Sequence, residues 1–234
     1  MKSMLLALLF LHILAAVTPV LSQTITEADE MAARMAADSV LALRAESVSR
    51  DPQIARMWGL SCREKLSRLN ADHLGDACKE YLIGLKEIRE LDGEGRLLSI
   101  GDVISASKLL FLVFPIIIDE STILDIEMRP VLTPGGQKTR WRPGSLGPGS
   151  GTVIYEMQKR YPRSEGFEVI YLRLDTWADY IIVRRGADHW VFFGSRPFDP
   201  SMFDSKELAR HEMIPEEEFI RELKSYKGGT LLIR

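Results

Sequence analysis

Residues 166–197, GFEVIYLRLDTWADYIIVRRGADHWVFFGSRP, constrain the fold of this chain more than any other stretch. Three segments within it, 167–174, 180–184 and 189–193, are dense in β-branched and aromatic residues, which predicts three consecutive strands. Arg185-Gly186-Ala187-Asp188 predicts a tight turn between the last two, because Gly186 takes a positive φ without steric cost. In the first strand Glu168 faces away from Phe167 and Val169. Tyr180-Ile181-Ile182-Val183 is apolar on both faces, as expected of a covered central strand. Such a sheet needs a layer packed on it, and the N-terminal half of the chain reads as helical.

Residues 1–22 stand apart from the folding argument. Lys2 is a short basic start, residues 4–17 are apolar except for His12, and Thr18-Pro19 ends the run. Val20-Leu21-Ser22 then supplies the small and β-branched residues of a peptidase site, so a cleaved export signal is expected, with contact to a membrane only in transit. The apolar core is too short to span a bilayer comfortably. The remainder, 23–234, has the composition of one α+β domain: a helical part over 23–92, a sheet part over 100–197 and a C-terminal extension over 198–234. Net charge is −3 and becomes one unit more negative once Lys2 is removed, which argues against a nucleic-acid binder.

Thr26-Glu27-Ala28-Asp29 predicts a capped helix start, with the helix running to about Glu46 and Met31, Met35, Val40 and Leu43 along its apolar stripe. Residues 53–91 keep a helical pattern. As one rod they would hold Cys62 and Cys78 about 24 Å apart at about 1.5 Å per residue. A turn near Asn70-Ala71-Asp72 instead folds them into a helical hairpin, and in an oxidising compartment a Cys62–Cys78 disulfide is expected to clamp it.

Asp92-Gly93-Glu94-Gly95 ends that hairpin. Residues 100–108 read as a short helix or the approach to a strand. Residues 109–118 read as a buried strand bent at Pro115, and 122–128 as a half-buried one with Leu124, Ile126 and Met128 on one face and Asp125 and Glu127 on the other. Residues 129–151, rich in Pro and Gly, read as a long irregular loop, and 153–161 as a further strand. The sum is about five strands, mostly antiparallel. Past them, 205–211 reads as a short helix and 215–226 as a better one, with Pro215 at its start and Gly228-Gly229 as its stop. Helices first, then a curved sheet ending in a Gly-turned hairpin with Trp190 just beyond it: in element order alone this resembles the cone-shaped folds of the nuclear-transport-factor-2 and cystatin kind. The resemblance implies helices packed on one face of a curved sheet and assigns no family.

No cofactor motif survives inspection. Residues 144–151 are glycine-rich, yet no Lys-Ser/Thr pair opens a helix after them, and neither Ser145 nor Ser150 has the glycines of a nucleophile elbow. His73, His189 and His211 have no ligand spacing, so no metal is expected; His189 reads as a packed sheet residue. Lys138, Arg140, Trp141 and Arg142 form the candidate binding cluster, an aromatic ring flanked by cations suited to stacking on a ring while holding an anion. The alternative is that Trp141 packs on the sheet and the charges are solvated. Asp125, Glu127, Glu168, Asp175, Asp179, Asp188 and His189 are the loose acid–base candidates, with Asp175 and Asp179 read as turn residues around Thr176-Trp177-Ala178 and Asp188 as closing the hairpin. The expectation is an exported, non-catalytic protein that binds a small ligand or a protein partner. The alternative is an exported hydrolase using these carboxylates or His189 in a sheet-end cleft.

Overall fold

The computed structural model describes residues 25–51, 53, 69–119, 122–132, 138–147, 149–174, 178–194 and 213–225. The export signal, Cys62, Asp175, His211 and the expected helix over 205–211 lie outside these residues.

The architecture is α+β and centres on a mixed eight-stranded sheet: β1 (Cys78–Ile83), β2 (Lys108–Asp119), β3 (Thr122–Leu132), β4 (Lys138–Gly147), β5 (Glu168–Leu174), β6 (Ala178–Arg185), β7 (Asp188–Gly194) and β8 (Met213–Ile214), in the order β4-β3-β2-β1-β5-β6-β7-β8. Every neighbouring pair is antiparallel except β1–β5, which is parallel. The sheet is thus two antiparallel meanders joined at one parallel seam. The hairpin between β6 and β7 turns as its sequence predicts, with Gly186 at φ 62°.

Helices cover both faces, where the element order implied a layer on one. Over β2–β4 lies α1 (Glu27–Arg50), started by a reciprocal cap in which the Asp29 N–H donates to Thr26 Oγ1 at 3.2 Å and the Thr26 N–H donates to Asp29 Oδ2 at 2.9 Å. Its buried side is Ala33, Ala37 and Leu41, packed with Phe114, Ile116, Leu124 and Ile126. Of the expected core stripe Val40 packs against this core, while Met31, Met35 and Leu43 face outward at 66–70% exposure. Alanines let the helix backbone approach the sheet closely, which the bulkier stripe would prevent.

On the same face, over β1 and β5–β7, lie α2 (Leu85–Gly93), α3 (Ile100–Ala106) and α5 (Glu216–Ser225), whose Ile88, Leu91, Ile100, Val103, Phe219 and Leu223 close a second core with Leu172 and Ile182. α3 carries a full capping box between Ser99 and Asp102. The opposite face is covered by α4 (Gly151–Arg160), which buries Val153, Ile154 and Met157 against Cys78, Val113, Val169 and Ile181.

Four expectations are corrected here. Cys78 is not helical and forms no disulfide: it lies fully buried as a free thiol in β1, a strand flanked by β2 and β5 in which Glu80 and Ile83 are buried too. The helical hairpin is replaced over residues 71–93 by a 3₁₀ turn (Ala71–His73), β1 and α2. The loop over 129–151 is instead the end of β3, the edge strand β4 and the approach to α4, since an edge strand accommodates Pro143 and glycines that a central one would not. The strand expected over 153–161 is α4: Val153, Ile154 and Met157 share one helical side, and their contact with the sheet outweighs the β-propensity of Thr152-Val153-Ile154-Tyr155.

Pro115 does sit in a central strand. The Gly75 N–H donates to Pro115 O at 2.7 Å, so the side on which its N–H is missing faces residues 74–75, beyond the end of the β1 ladder.

Candidate functional site

Strand alternation places a set of polar residues on the α4 side of the sheet. From β1 comes Glu80, from β3 Asp125, Glu127 and Arg129, from β4 Arg140 and Arg142, from β5 Tyr171 and Arg173, and from β6 Asp179. Registers align Tyr171 with Glu80, Glu80 with Phe111, and Arg129 with Arg142, so one row across the sheet runs from a phenol through a carboxylate and an aromatic ring to two guanidinium groups.

Glu80 is fully buried. Arg173 Nε lies 3.1 Å from its Oε1, an ion-pair distance, yet neither carboxylate oxygen has an aligned hydrogen bond. Burial pushes the Glu80 carboxyl up to about 8; Arg173 opposes this, while the charges of Glu127, Asp179 and Asp125 add to it. Asp125 is covered by the start of α4 and accepts the Gly151 N–H at 2.8 Å. Burial raises it to about 7, partly offset by that hydrogen bond. Asp179 is not a turn residue: it is buried in β6, accepts the Tyr171 hydroxyl at 2.8 Å, and is raised by burial. Gly149 and Gly151 are required by this closeness, because a Cβ at Gly149 would lie 2.5 Å from Asp125 Oδ2 and one at Gly151 would meet Leu124 O.

Two cavities flank this architecture, and their charges decide between them. The first, of about 370 Å³, lies at the starts of α1 and β5 and is lined by Glu30, Lys79, Tyr161, Arg163, Phe167 and Glu168 among others. Both of its cations are paired, Lys79 with Glu168 at 2.7 Å and Arg163 with Glu30 at 2.6 Å, and Glu27 and Asp76 leave the lining acidic on balance. The second, a groove of about 670 Å³ between β3 and β4, is lined by Phe111, Glu127, Arg129, Arg142 and Gly144 with their neighbours. Here Arg129 stacks on Phe111 at 5.0 Å. Arg129 and Arg142 are directly opposed and exposed, and neither they nor Glu127 have an ion-pair partner among the described residues. Opposed like charges in neighbouring strands cost about 0.2–1 kcal/mol, a cost that a ligand bearing the opposite charge would reverse.

The expected cluster is divided by the pleat. Trp141 is half-buried on the α1 side, packed on that core, while Arg140 and Arg142 project from the α4 side. Lys138 opens β4. The strands bring Arg142 together with Glu127 in the groove. They keep His189 apart from Glu80, Asp125, Glu127 and Asp179: it is half-buried in β7, opposite Arg184, on the helix-rich face. Glu168 is on that face too, bonded by Lys79 and Arg184. Asp188 is exposed at the hairpin opposite Arg185, and His73 accepts the Asn70 N–H at Nδ1 within the 3₁₀ turn. Sequence reasoning passed over Glu80, Phe111, Arg129, Tyr171 and Arg173. The available signal was Arg129, which continues the alternation of Asp125 and Glu127 one step beyond the expected strand end. No group of three or more His, Cys, Asp or Glu side chains is arranged to hold a metal among the described residues.

No family model, curated protein or solved structure matches the chain.

Proposed function

We propose that the protein is an exported, non-catalytic binding protein whose ligand carries an anionic group held between Arg129 and Arg142. The observation that carries this reading is the pair itself: two exposed guanidinium groups set opposite each other in a groove, with no carboxylate among the described residues paired with either one. Guanidinium forks bind carboxylate and phosphate oxygens in pairs, and Arg140 on the same side of β4 adds to the local positive potential. Stacking on the buried Phe111 ring positions the Arg129 guanidinium in the groove.

Calorimetric titration of the purified protein with acetate, pentanoate, inorganic phosphate and sulfate tests it. At least one anion should bind, more weakly as salt is raised, and R129Q/R142Q should weaken it at least about tenfold. If no anion binds, or the double variant binds as the unmodified protein does, the reading is wrong.

A second reading, an exported hydrolase, draws on Glu80 and Asp125, two carboxyls raised toward neutral pH on one face. It requires turnover of some ester, amide or glycoside that E80Q or D125N abolishes while the fold persists. His189 has no part in it, because it belongs to the other face.

A further inference from the structure

Glu127 lies two residues before Arg129 on β3 and on the same side, about 7 Å away at about 3.4 Å per residue. Its carboxylate and the edge of the Phe111 ring both lean over Gly144: a Cβ built there would be 3.2 Å from Glu127 Oε2 and 2.8 Å from Phe111 Cε1. Both pack so closely on the Gly144 backbone that only glycine fits there. Glu127 has neither an ion pair nor a hydrogen bond among the described residues, although Arg129 and Arg142 line the same groove. The groove therefore presents a negative end and a positive end, separated rather than neutralised. Behind the negative end lies Glu80, fully buried beside Arg173 at 3.1 Å, and the charge of Glu127 is one of those that help hold its proton on. A cation suits Glu127 in these surroundings and an anion does not.

From this we infer that the ligand is a small amphoteric molecule of the unbranched ω-amino acid class, its carboxylate between Arg129 and Arg142, its ammonium on Glu127 and its methylene chain along the groove between them. The inference rests on the anion-binding reading above and adds the identity of the other end. A probe of five carbons is taken because its extended length is comparable to the step of about 7 Å between Glu127 and Arg129 along β3.

The experiment compares 5-aminopentanoate, pentanoate and pentylamine by calorimetry on the purified protein and on the variants E127Q and R142Q, with thermal melts confirming that each variant is folded. The amino acid should bind at least about tenfold tighter than either single-ended probe. E127Q should reduce the amino acid to the affinity of pentanoate and leave pentanoate unchanged, while R142Q should weaken both. If pentanoate binds as tightly as 5-aminopentanoate, or E127Q changes neither, the amphoteric ligand is excluded and the anion site stands. If neither carboxylate binds the unmodified protein, the amphoteric ligand is excluded, and the anion reading falls with it when phosphate and sulfate do not bind either.

Discussion

Glu80 is a carboxylate placed where water does not reach it, and its response to pH follows from that position. Its carboxyl is raised from an ordinary 4.5 to about 8, so the native state holds the proton more tightly than the unfolded chain does. The stabilisation this supplies is complete below about pH 4.5 and is lost as pH rises through about 8. Glutamine keeps the shape and cannot ionise. E80Q should therefore melt within about 2 °C of the unmodified protein at pH 5 and more than about 4 °C above it at pH 9. A lower melting point for E80Q at pH 9 would mean that the ionised pair with Arg173 is favourable on balance. Glu80 was not legible as a special residue because Lys79-Glu80-Tyr81-Leu82 suits a helix as well as a strand, and a glutamate on a helix surface attracts no notice. Trp141 and its neighbouring arginines were legible as residues but not as geometry. Once β4 is a strand, adjacent side chains must part to opposite faces.

At the scale of elements, the approach of α4 to β3 is the tightest packing in the candidate site. The start of the helix rests on Leu124 and Asp125 with no room for a Cβ at Gly151. G151A should cost about 1–3 kcal/mol in urea denaturation, the range for forcing extra atoms into a packed site. G93A, within α2, where a Cβ would meet nothing within 4 Å, should be neutral or stabilise by up to about 1 kcal/mol. Equal effects would show that α4 can lift away from β3 without penalty. The elements that sequence alone identified correctly, β2, β3, β5–β7, α1 and α5, are those whose periodicity runs long or whose turn chemistry is specific. Two of the elements it mistook share a cause. β1 is six residues long and the first turns of α4 hold Thr152-Val153-Ile154-Tyr155, which favour strands, so in both cases the neighbours in space decide the conformation. β4 looked like a loop because it is an edge strand, and edges tolerate the residues by which loops are recognised.

For the molecule as a whole, two sets of carboxyls oppose each other across the pH scale. On the helix-rich face, Lys79, Glu168 and Arg184 form a polar border where Lys79 neighbours Leu112 of one core and Ile170 of the other. Burial would raise Glu168, but the hydrogen bonds and charges of Lys79 and Arg184 outweigh it and hold the carboxyl below its ordinary value. Its contribution is present above the ordinary glutamate range and disappears as pH falls through its lowered value. Glu80 and Asp125 act in the reverse direction, Asp125 losing its contribution as pH rises through about 7. Melting temperature should accordingly peak near pH 5 and decline toward pH 9, and E80Q/D125N should flatten the alkaline decline while leaving the acid one. A profile flat from pH 5 to 9 in the unmodified protein would contradict the burial of these two groups.

The parallel seam between β1 and β5 has one more consequence, for the order in which the chain acquires its structure. β1 pairs with β2 about thirty residues on, but the other side of β1 meets β5 only after some ninety residues have been made, which is a slow, non-local closure. Until then the 78–83 edge is an open template for any other extended chain. An inward-pointing charge is one of the devices that blunt such an edge. On β1 the charge of that kind is Glu80, which the finished molecule carries at a cost above neutral pH.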